Sequence, residues 1–337
     1  MPCEAGPRGI SGRRRPRRSP GGGKTPVVVV VYHREEETRM MLEQLRRVTD
    51  DYSLIVVDNG FEDTSLIKRM RPLHHVRNPE NLGAVRSINQ GLELAEGRYV
   101  AVLHNDLLIR DEGWLRHIIG FMDNREDIGL VGLAGRHTVK ADGMYDNETT
   151  VIKNEGGFVH TFPTWRFTEV ATIDGLGWVM RNSGIRLDEG LGLMHFYDLD
   201  LSLQHIARGF RVYVAAVELC HLAEQEGRST RDGDGYLDTV GGDDAEYFEK
   251  VRRLFEAKWS HMLPITRGFM DENYFLERLN VLQRYIDEQG GYIRKLENDI
   301  AGKQAEMDKA VGHIRKLEAA LAGLKVPRSI HEPVEES

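Results

Sequence analysis

The sequence predicts an α/β domain built on a mostly parallel sheet, followed by a long helix of coiled-coil type. Three observations carry that expectation. Val27 to Val31 is an unbroken β-branched run, the pattern of a strand buried on both faces. Strand-like and helix-like segments then alternate as far as about residue 133. From Leu279 onward, apolar residues recur at every seventh position.

In chain order, the ordered part is expected to begin at Pro26, with the first strand ending at Tyr32-His33. Met40, Met41, Leu45 and Val48 have helical spacing. Leu54 to Val57 reads as a strand, Leu66 to Met70 as a helix and His75-Val76 as a short strand. Ala84 to Ala95 reads as a helix with Ile88, Leu92 and Ala95 on one face. Tyr99 to Leu103 reads as a buried strand, Trp114 to Met122 as a helix and Ile128 to Leu133 as another strand. Such alternation packs as right-handed crossovers. Residues 134–173 show no clear periodicity. Tyr197 to Ala207 reads as a helix, Phe210 to Val214 as a strand, and residues 223–243, rich in Gly, Asp and Arg, as a loop. A helix over Ala245 to Trp259 closes the domain.

In an open parallel sheet, ligands bind beyond the carboxyl ends of the strands. Three strands deliver polar groups to that edge: Tyr32-His33 after the first, Asp58-Asn59-Gly60 after the second, and His104-Asn105-Asp106 after the strand from Tyr99. A single Asp after a strand is commonly a cap or turn residue, so it is the coincidence of three that points to a site.

These residues resemble the family-2 glycosyltransferases of GT-A fold. The likeness runs through Val56-Val57-Asp58-Asn59-Gly60, Asn81-Leu82-Gly83 with Asn89 and Gly91, and Arg98-Tyr99-Val100 leading to His104-Asn105-Asp106. It continues in Ile173-Asp174-Gly175, Tyr197-Asp198-Leu199-Asp200-Leu201 and Gly209-Phe210-Arg211-Val212. It spans about residues 26–225. The resemblance implies an inverting transfer of a sugar from a nucleoside diphosphate-sugar to an acceptor hydroxyl of a saccharide or lipid-linked glycan. It implies a donor-binding set of Tyr32, Asp58, Asn81, Arg86, His104 and Asn105, with Asp58 at the base or ribose. It makes His104-Asn105-Asp106 the counterpart of the family's D-x-D motif, so that Asp106, with His221, would hold Mn²⁺ or Mg²⁺. It makes Asp198 the base that takes the acceptor's proton, with Asp200 as its nearest rival, and puts Asp174, Gly175 and Tyr197 on the acceptor side. Two positions depart from the pattern: His104 replaces the first acid of D-x-D, and Tyr197 replaces the Glu before Asp198. Imidazole suits Mn²⁺ better than Mg²⁺. A nucleotidyltransferase is disfavoured because Tyr32 to Glu37 carries acids and no glycine. A scaffold with a decayed transferase domain is the other alternative, and donor hydrolysis separates it from the enzyme.

Leu279, Ile286, Ile293, Ile300, Met307, Ile314 and Leu321 occupy the a positions of the heptads; Leu282, Gln289, Leu296, Lys303, Ala310, Leu317 and Leu324 occupy d. Ile at a with Leu at d favours a parallel two-stranded coil, hence a homodimer. Gly290, Gly291 and Gly302 weaken the helix by roughly 1 kcal/mol each, so a break is expected near 290. The expected layout is a basic arm over 1–25, the transferase domain over 26–262, a linker over 263–277, the coiled coil over 278–325 and a tail over 326–337.

Composition bounds the rest. The chain has 337 residues, 40% hydrophobic and 29% charged, with a net charge of −8, which fits a globular protein rather than a disordered one. The arm holds Arg8, Arg13, Arg14, Arg15, Arg17, Arg18 and Lys24 against Glu4. It could touch an anionic membrane surface. It lacks interleaved aromatics, and the remaining chain is acidic, so nucleic acid is not expected. With two cysteines, Cys3 and Cys220, neither a disulfide framework nor a thiolate metal site is expected. No apolar run of membrane-spanning length or signal-peptide pattern is read; the expected location is cytoplasmic, the arm reads first as a flexible segment or a start codon placed too early, and peripheral contact at the inner face of the membrane is the alternative.

Overall fold

A computed structural model describes residues 23–61, 64–146, 150–152, 154–155, 158–159, 167–222, 242–268 and 272–323. The chain divides into two units, Met1–Phe269 and Met270–Ser337.

The first unit is built on an eight-stranded sheet. Its strands are β1 (Thr25–Val31), β2 (Tyr52–Asp58), β3 (His74–Arg77), β4 (Tyr99–His104), β5 (Ile128–Gly132), β6 (Phe167–Glu169), β7 (Gly177–Arg181) and β8 (Arg211–Ala215). Their spatial order is β6-β8-β5-β7-β4-β1-β2-β3. Parallel pairing joins β1 to β2 and to β4, β2 to β3, and β5 to β8. Strand β7 runs antiparallel to both its neighbours, β4 and β5. Strand β6 caps the edge antiparallel to β8. Six strands therefore point the same way, and their carboxyl ends share one edge.

Helices cover both faces, as a parallel sheet requires. They are α1 (Glu35–Val48), α2 (Thr64–Met70), α3 (Gly83–Leu94), α4 (Trp114–Asp123), α5 (Tyr197–Ala207) and α6 (Asp244–Trp259). Val27, Val29 and Val31 pack with Met41, Leu42 and Leu45 of α1 and with α4, whereas Val28 and Ile55 pack with Val85, Ile88 and Leu92 of α3. That alternation explains the continuous valine run. A Cβ on Gly91 would lie 2.3 Å from Val28 Cγ1, so α3 approaches β1 at a distance only glycine permits. A third apolar cluster joins Leu199 and Leu203 of α5 to Val251, Phe255 and Trp259 of α6.

The expected helices and strands of the first half are present with ends shifted by a few residues. Strand β7 was not expected. Gly-Trp-Val-Met-Arg is short and lacks a β-branched run, yet Trp178, Val179 and Met180 are fully buried at the centre of the sheet. The aperiodic stretch 134–173 supplies short antiparallel pairs, including Gly135–Arg136 with Thr172–Ile173. Most of the loop expected at 223–243 lies outside the described residues. Within the expected linker, Ile265–Thr266 pairs with Thr138–Val139 instead. It is anchored by buried Ile265 and by a hydrogen bond between His137 Nδ1 and the carbonyl of Arg267.

Among its described residues the second unit is one helix, α7, over Glu272–Gly323. It passes without a break through Gly290, Gly291 and Gly302, so the expected interruption is absent. Ile286, Ile293, Leu296, Ile300, Met307, Ile314, Leu317 and Leu321 of the heptads are 43–68% exposed in the single chain. Leu324 and the expected tail lie outside the described residues. No helix among the described residues is long and apolar enough to cross a membrane.

Candidate active site

A cavity of about 340 Å³ opens at the shared strand edge. It is lined by residues from the ends of β1, β2 and β4, from the segments after β5 and before β7, and from the start of α5. Tyr32, Asn81, His104, Asn105, Asp174, Gly175, Tyr197 and Asp198 of the expected site line it. Asp58, Arg86, Asp106 and His221 do not.

The backbone turns sharply where the site is built. His33 and Arg34 leave β1 with φ of 48° and 58°, and His195 and Phe196 enter α5 with φ of 65° and 54°. Left-handed conformations cost non-glycine residues of order 1 kcal/mol or more each. Two adjacent pairs on one cavity concentrate that strain at the site.

At the β2 end, Asp58 lies behind the cavity lining. Asp58 is fully buried. Its Oδ1 accepts from the backbone N–H of Gly60 and Phe61 at 2.9 and 2.7 Å, and its Oδ2 sits 3.3 Å from Arg77 and 3.4 Å from His75. The carboxylate holds the turn. Asn59 reaches the cavity instead. Its Nδ2 donates to Asn81 Oδ1 and to the carbonyl of Gly83, and its Oδ1 accepts from Asn78 Nδ2 and Ser87 Oγ, both at 2.8 Å. Asn105 Nδ2 donates to Thr38 Oγ1 at 2.8 Å and fixes α1 against the end of β4. Arg86 is half-exposed and faces Glu189 at 3.3 Å, away from the cavity.

Three side chains, His104 in the lining with Asp106 and His221 just outside it, could hold a cation. Leu107–Ile109 pairs antiparallel with Leu219–His221, which brings His221 to Asp106. One donor atom from each of His104, Asp106 and His221 lies within 4.8 Å of the others. His221 Nε2 is 3.2 Å, and His104 Nδ1 4.0 Å, from Asp106 Oδ1. Asp106 is 1% exposed, and among the described residues neither of its oxygens receives a well-aligned hydrogen bond. Burial works to raise its pKa, but the imidazoles of His221 and His104 and the Arg34 charge outweigh burial and hold it near 2. Burial pushes the His104 pKa down, which favours the neutral imidazole that a metal needs. A buried anion with two neighbouring imidazoles fits a divalent cation.

The two acids of α5 have different environments. Asp200 is fully buried. Its Oδ1 is 2.6 Å from Lys258 Nζ and accepts from Trp259 Nε1 at 2.8 Å, and its Oδ2 accepts from Gln204 at 2.7 Å. It ties α5 to α6. Asp198 faces the cavity, and burial, reinforced by the charge of Asp174 and partly offset by Arg136, raises its pKa to about 7. A carboxyl with a pKa near neutrality is suited to proton transfer.

Sequence reasoning missed Arg136. It follows β5 at the same strand edge, pairs with Asp174 at 3.2 Å and stacks its guanidinium 4.2 Å from the centre of the Tyr145 ring. The strand-edge rule would have found it had the end of the 128–133 strand been followed. His195 was also missed. It lines the cavity and is anchored to Asp244 of α6 at 3.0 Å.

Residues 27–185 match the family described as Glycosyl transferase family 2. The family match begins at β1 and ends after β7, and so covers the strand ends that carry the Asn59 network, His104, Asp106, Arg136 and Asp174. It stops short of Asp198. Among solved structures, S. aureus TarS 1–349 in complex with UDP-GlcNAc superposes with a TM-score of 0.50 at 16% identity, covering 74% of this chain and 69% of that one. The same protein in complex with UDP gives a TM-score of 0.45 at 18% identity, covering 57% of this chain. In that superposition the chain spans 58% of the length of TarS 1–349. The likeness is one of fold, and the GT-A arrangement expected from the motifs is the one found. No curated protein sequence matches the chain.

Proposed function

We propose that the protein is an inverting glycosyltransferase that moves a hexosyl or deoxyhexosyl group from a nucleoside diphosphate-sugar to an acceptor hydroxyl of a saccharide or lipid-linked glycan. The observation that carries this reading is Asp198, a carboxyl that burial and the charge of Asp174 push up to about 7, lining the same cavity as Asn59, Asn81 and Asn105. Asp198 takes the acceptor's hydroxyl proton as that oxygen bonds to the anomeric carbon. The bond to the diphosphate breaks, and its electron pair leaves with the nucleoside diphosphate. Tyr32, Asn59, Asn81 and Asn105 would hold the donor, and Arg136, Tyr145 and His195 the acceptor side. A divalent ion held by Asp106, His221 and His104 would offset charge on the departing diphosphate.

TarS, of the same fold, binds UDP-GlcNAc, so uridine diphosphate sugars are the first donors to test. Transfer or donor hydrolysis is expected with Mn²⁺ and lost with excess EDTA or with Asp106→Ala at an unchanged melting temperature. Full turnover in EDTA would remove the metal from this reading; a native protein without transfer or hydrolysis on any sugar nucleotide would leave the scaffold alternative.

For α7 we propose a parallel homodimer. Its exposed heptad residues are apolar, and in the parallel register His313 faces Glu318 of a second copy. An antiparallel pair sets Glu297 and Glu318, or Asp299 and Glu306, against one another. Sedimentation equilibrium should give a dimer that Ile300→Glu together with Ile314→Glu converts to a monomer; a full-length monomer at micromolar concentration would overturn the pairing.

A further inference from the structure

The two positions at which the motifs depart from the family pattern touch each other. His104 Nε2 lies 3.3 Å from Tyr197 Oη, and Nδ1, on the other side of the same ring, faces the Asp106 carboxylate at 4.0 Å. Tyr197 is buried against Trp178, and its hydroxyl occupies the space beside Gly175. A Cβ at Gly175 would lie 2.4 Å from Tyr197 Oη. A glycine before β7 therefore gives the phenol room to reach His104.

We propose that Tyr197 is a positioning residue for the metal centre: its hydroxyl fixes the His104 ring with Nδ1 turned toward Asp106 and His221, which gives the centre two nitrogens and one carboxylate and a preference for Mn²⁺ over Mg²⁺. An imidazole binds a metal only through the nitrogen that carries no proton, and the hydrogen bond made by the other nitrogen decides which one that is. Tyr197 Oη can accept from Nε2–H or donate to Nε2, and with a cation at Nδ1 it accepts, so that the proton sits on Nε2. Mg²⁺ demands oxygen donors in near-ideal octahedral geometry and dehydrates reluctantly, whereas imidazole suits transition ions. With acids at both positions, as in the family pattern, the centre would lose one nitrogen donor and gain anionic oxygen. The two departures therefore act as one change of donor chemistry.

The inference rests on the metal reading above, and the test separates the two. Full-length protein stripped of metal is titrated with Mn²⁺, following the electron paramagnetic resonance signal of the free ion, with Mg²⁺ as competitor. Wild type is expected to bind one Mn²⁺, to show ¹⁴N couplings from two imidazoles in the bound ion, and to need about a hundredfold excess of Mg²⁺ for half-displacement. Losing a partner of a ligating His typically weakens metal binding by about 10–100-fold. Tyr197→Phe should show a loss of that size and a weakened or absent His104 coupling, at an unchanged melting temperature. Gly175→Ala, which displaces the hydroxyl without removing it, should shift affinity the same way. His104→Asp combined with Tyr197→Glu should bring Mg²⁺ close to parity. Unchanged Mn²⁺ affinity and unchanged nitrogen couplings in both Tyr197→Phe and Gly175→Ala would overturn the positioning role. Displacement of Mn²⁺ from wild type by equimolar Mg²⁺ would overturn the preference. A wild-type protein that binds no Mn²⁺ would overturn the metal reading as well.

Discussion

In one group of residues at the cavity Asn59 and Asn81, backed by Asn78, Ser87 and Gln90, hold one another through neutral hydrogen bonds. In a second group Asp198, Asp174, Arg136, Tyr197 and His104 crowd ionisable groups together. The amide side is satisfied within itself, because each amide offers both donors and an acceptor and the partners are in place. The ionisable side is not: burial and neighbouring acids oppose charge on Asp198 and Tyr197, and on Asp198 the Arg136 charge and backbone N–H groups, Leu199's at 3.0 Å among them, work the other way. A preorganised neutral surface suits the holding of a donor. A carboxyl held near its titration point suits proton transfer, at a cost in stability. The following substitutions test that division of labour.

Asp198→Asn carries the largest expected effect. The amide keeps size and hydrogen bonding but cannot take a proton, so kcat should fall by about a hundredfold or more, with donor affinity within about threefold of wild type. Stability should move the other way. An ordinary Asp titrates near 3.8, and Asp198 in the folded protein near 7. Folding therefore favours the protonated form, and the stability it confers below the ordinary carboxylate pKa is lost as pH rises through about 7. The Asn variant does not ionise, so its melting temperature should gain on that of wild type as pH is raised from about 5 to 8. Inactive Asp200→Asn beside near-normal Asp198→Asn would reverse the two assignments. On the structure, Asp200→Asn instead weakens the Lys258 and Trp259 contacts that join α5 to α6.

Arg136→Met is the second test, with a smaller effect. Arg136 is the cation that lowers the Asp198 pKa, and the groups facing Asp198 are Asp174, Arg136 and the Tyr197 phenol. Without the guanidinium, Asp198 should stay protonated to higher pH. The acid limb of kcat/KM should move upward, giving a several-fold loss at pH 7 that is largely recovered near pH 9. A loss of the same size at every pH would show that Arg136 acts through substrate contact alone.

The two sides differed in how far the sequence revealed them. Strand ends are legible because a buried strand followed by polar residues is a local signal; that signal located Asn59, His104 and Asn105 and, through β5, could have located Arg136. Whether a polar residue faces the cavity or the protein is not local. Asp58 looks like a ligand in sequence, but its carboxylate turns back onto Gly60, Phe61, His75 and Arg77. Asp198 and Asp200 could be told apart only once α6 supplied Lys258 and Trp259, about sixty residues further on. Strand β7 escaped notice for the same reason: Trp178 and Met180 become strand residues through the neighbours they pair with. The His104–Tyr197 contact spans 93 positions and leaves no trace in either motif.

The smallest effect on turnover is expected from Asn59→Ala, on the amide side. Asn59 makes four hydrogen bonds that join the end of β2 to Asn78, Asn81, Gly83 and Ser87. Removing it leaves buried partners without their bonds. Asn78 keeps its paired bonds with Gln90, at 2.9 Å in each direction, so the loss is partial. Each buried group left unsatisfied costs about 1–3 kcal/mol, and stability measured by urea unfolding should fall by about that much in total, once water enters the gap. Asn81 and the start of α3 would then be less firmly placed on the cavity wall, and KM for the donor should rise by about tenfold. Asp198 takes part in none of these bonds, so kcat at saturating donor should stay within about twofold. A fall in kcat with KM unchanged would show that the amide network governs proton transfer and that the two sides do not divide the work in this way.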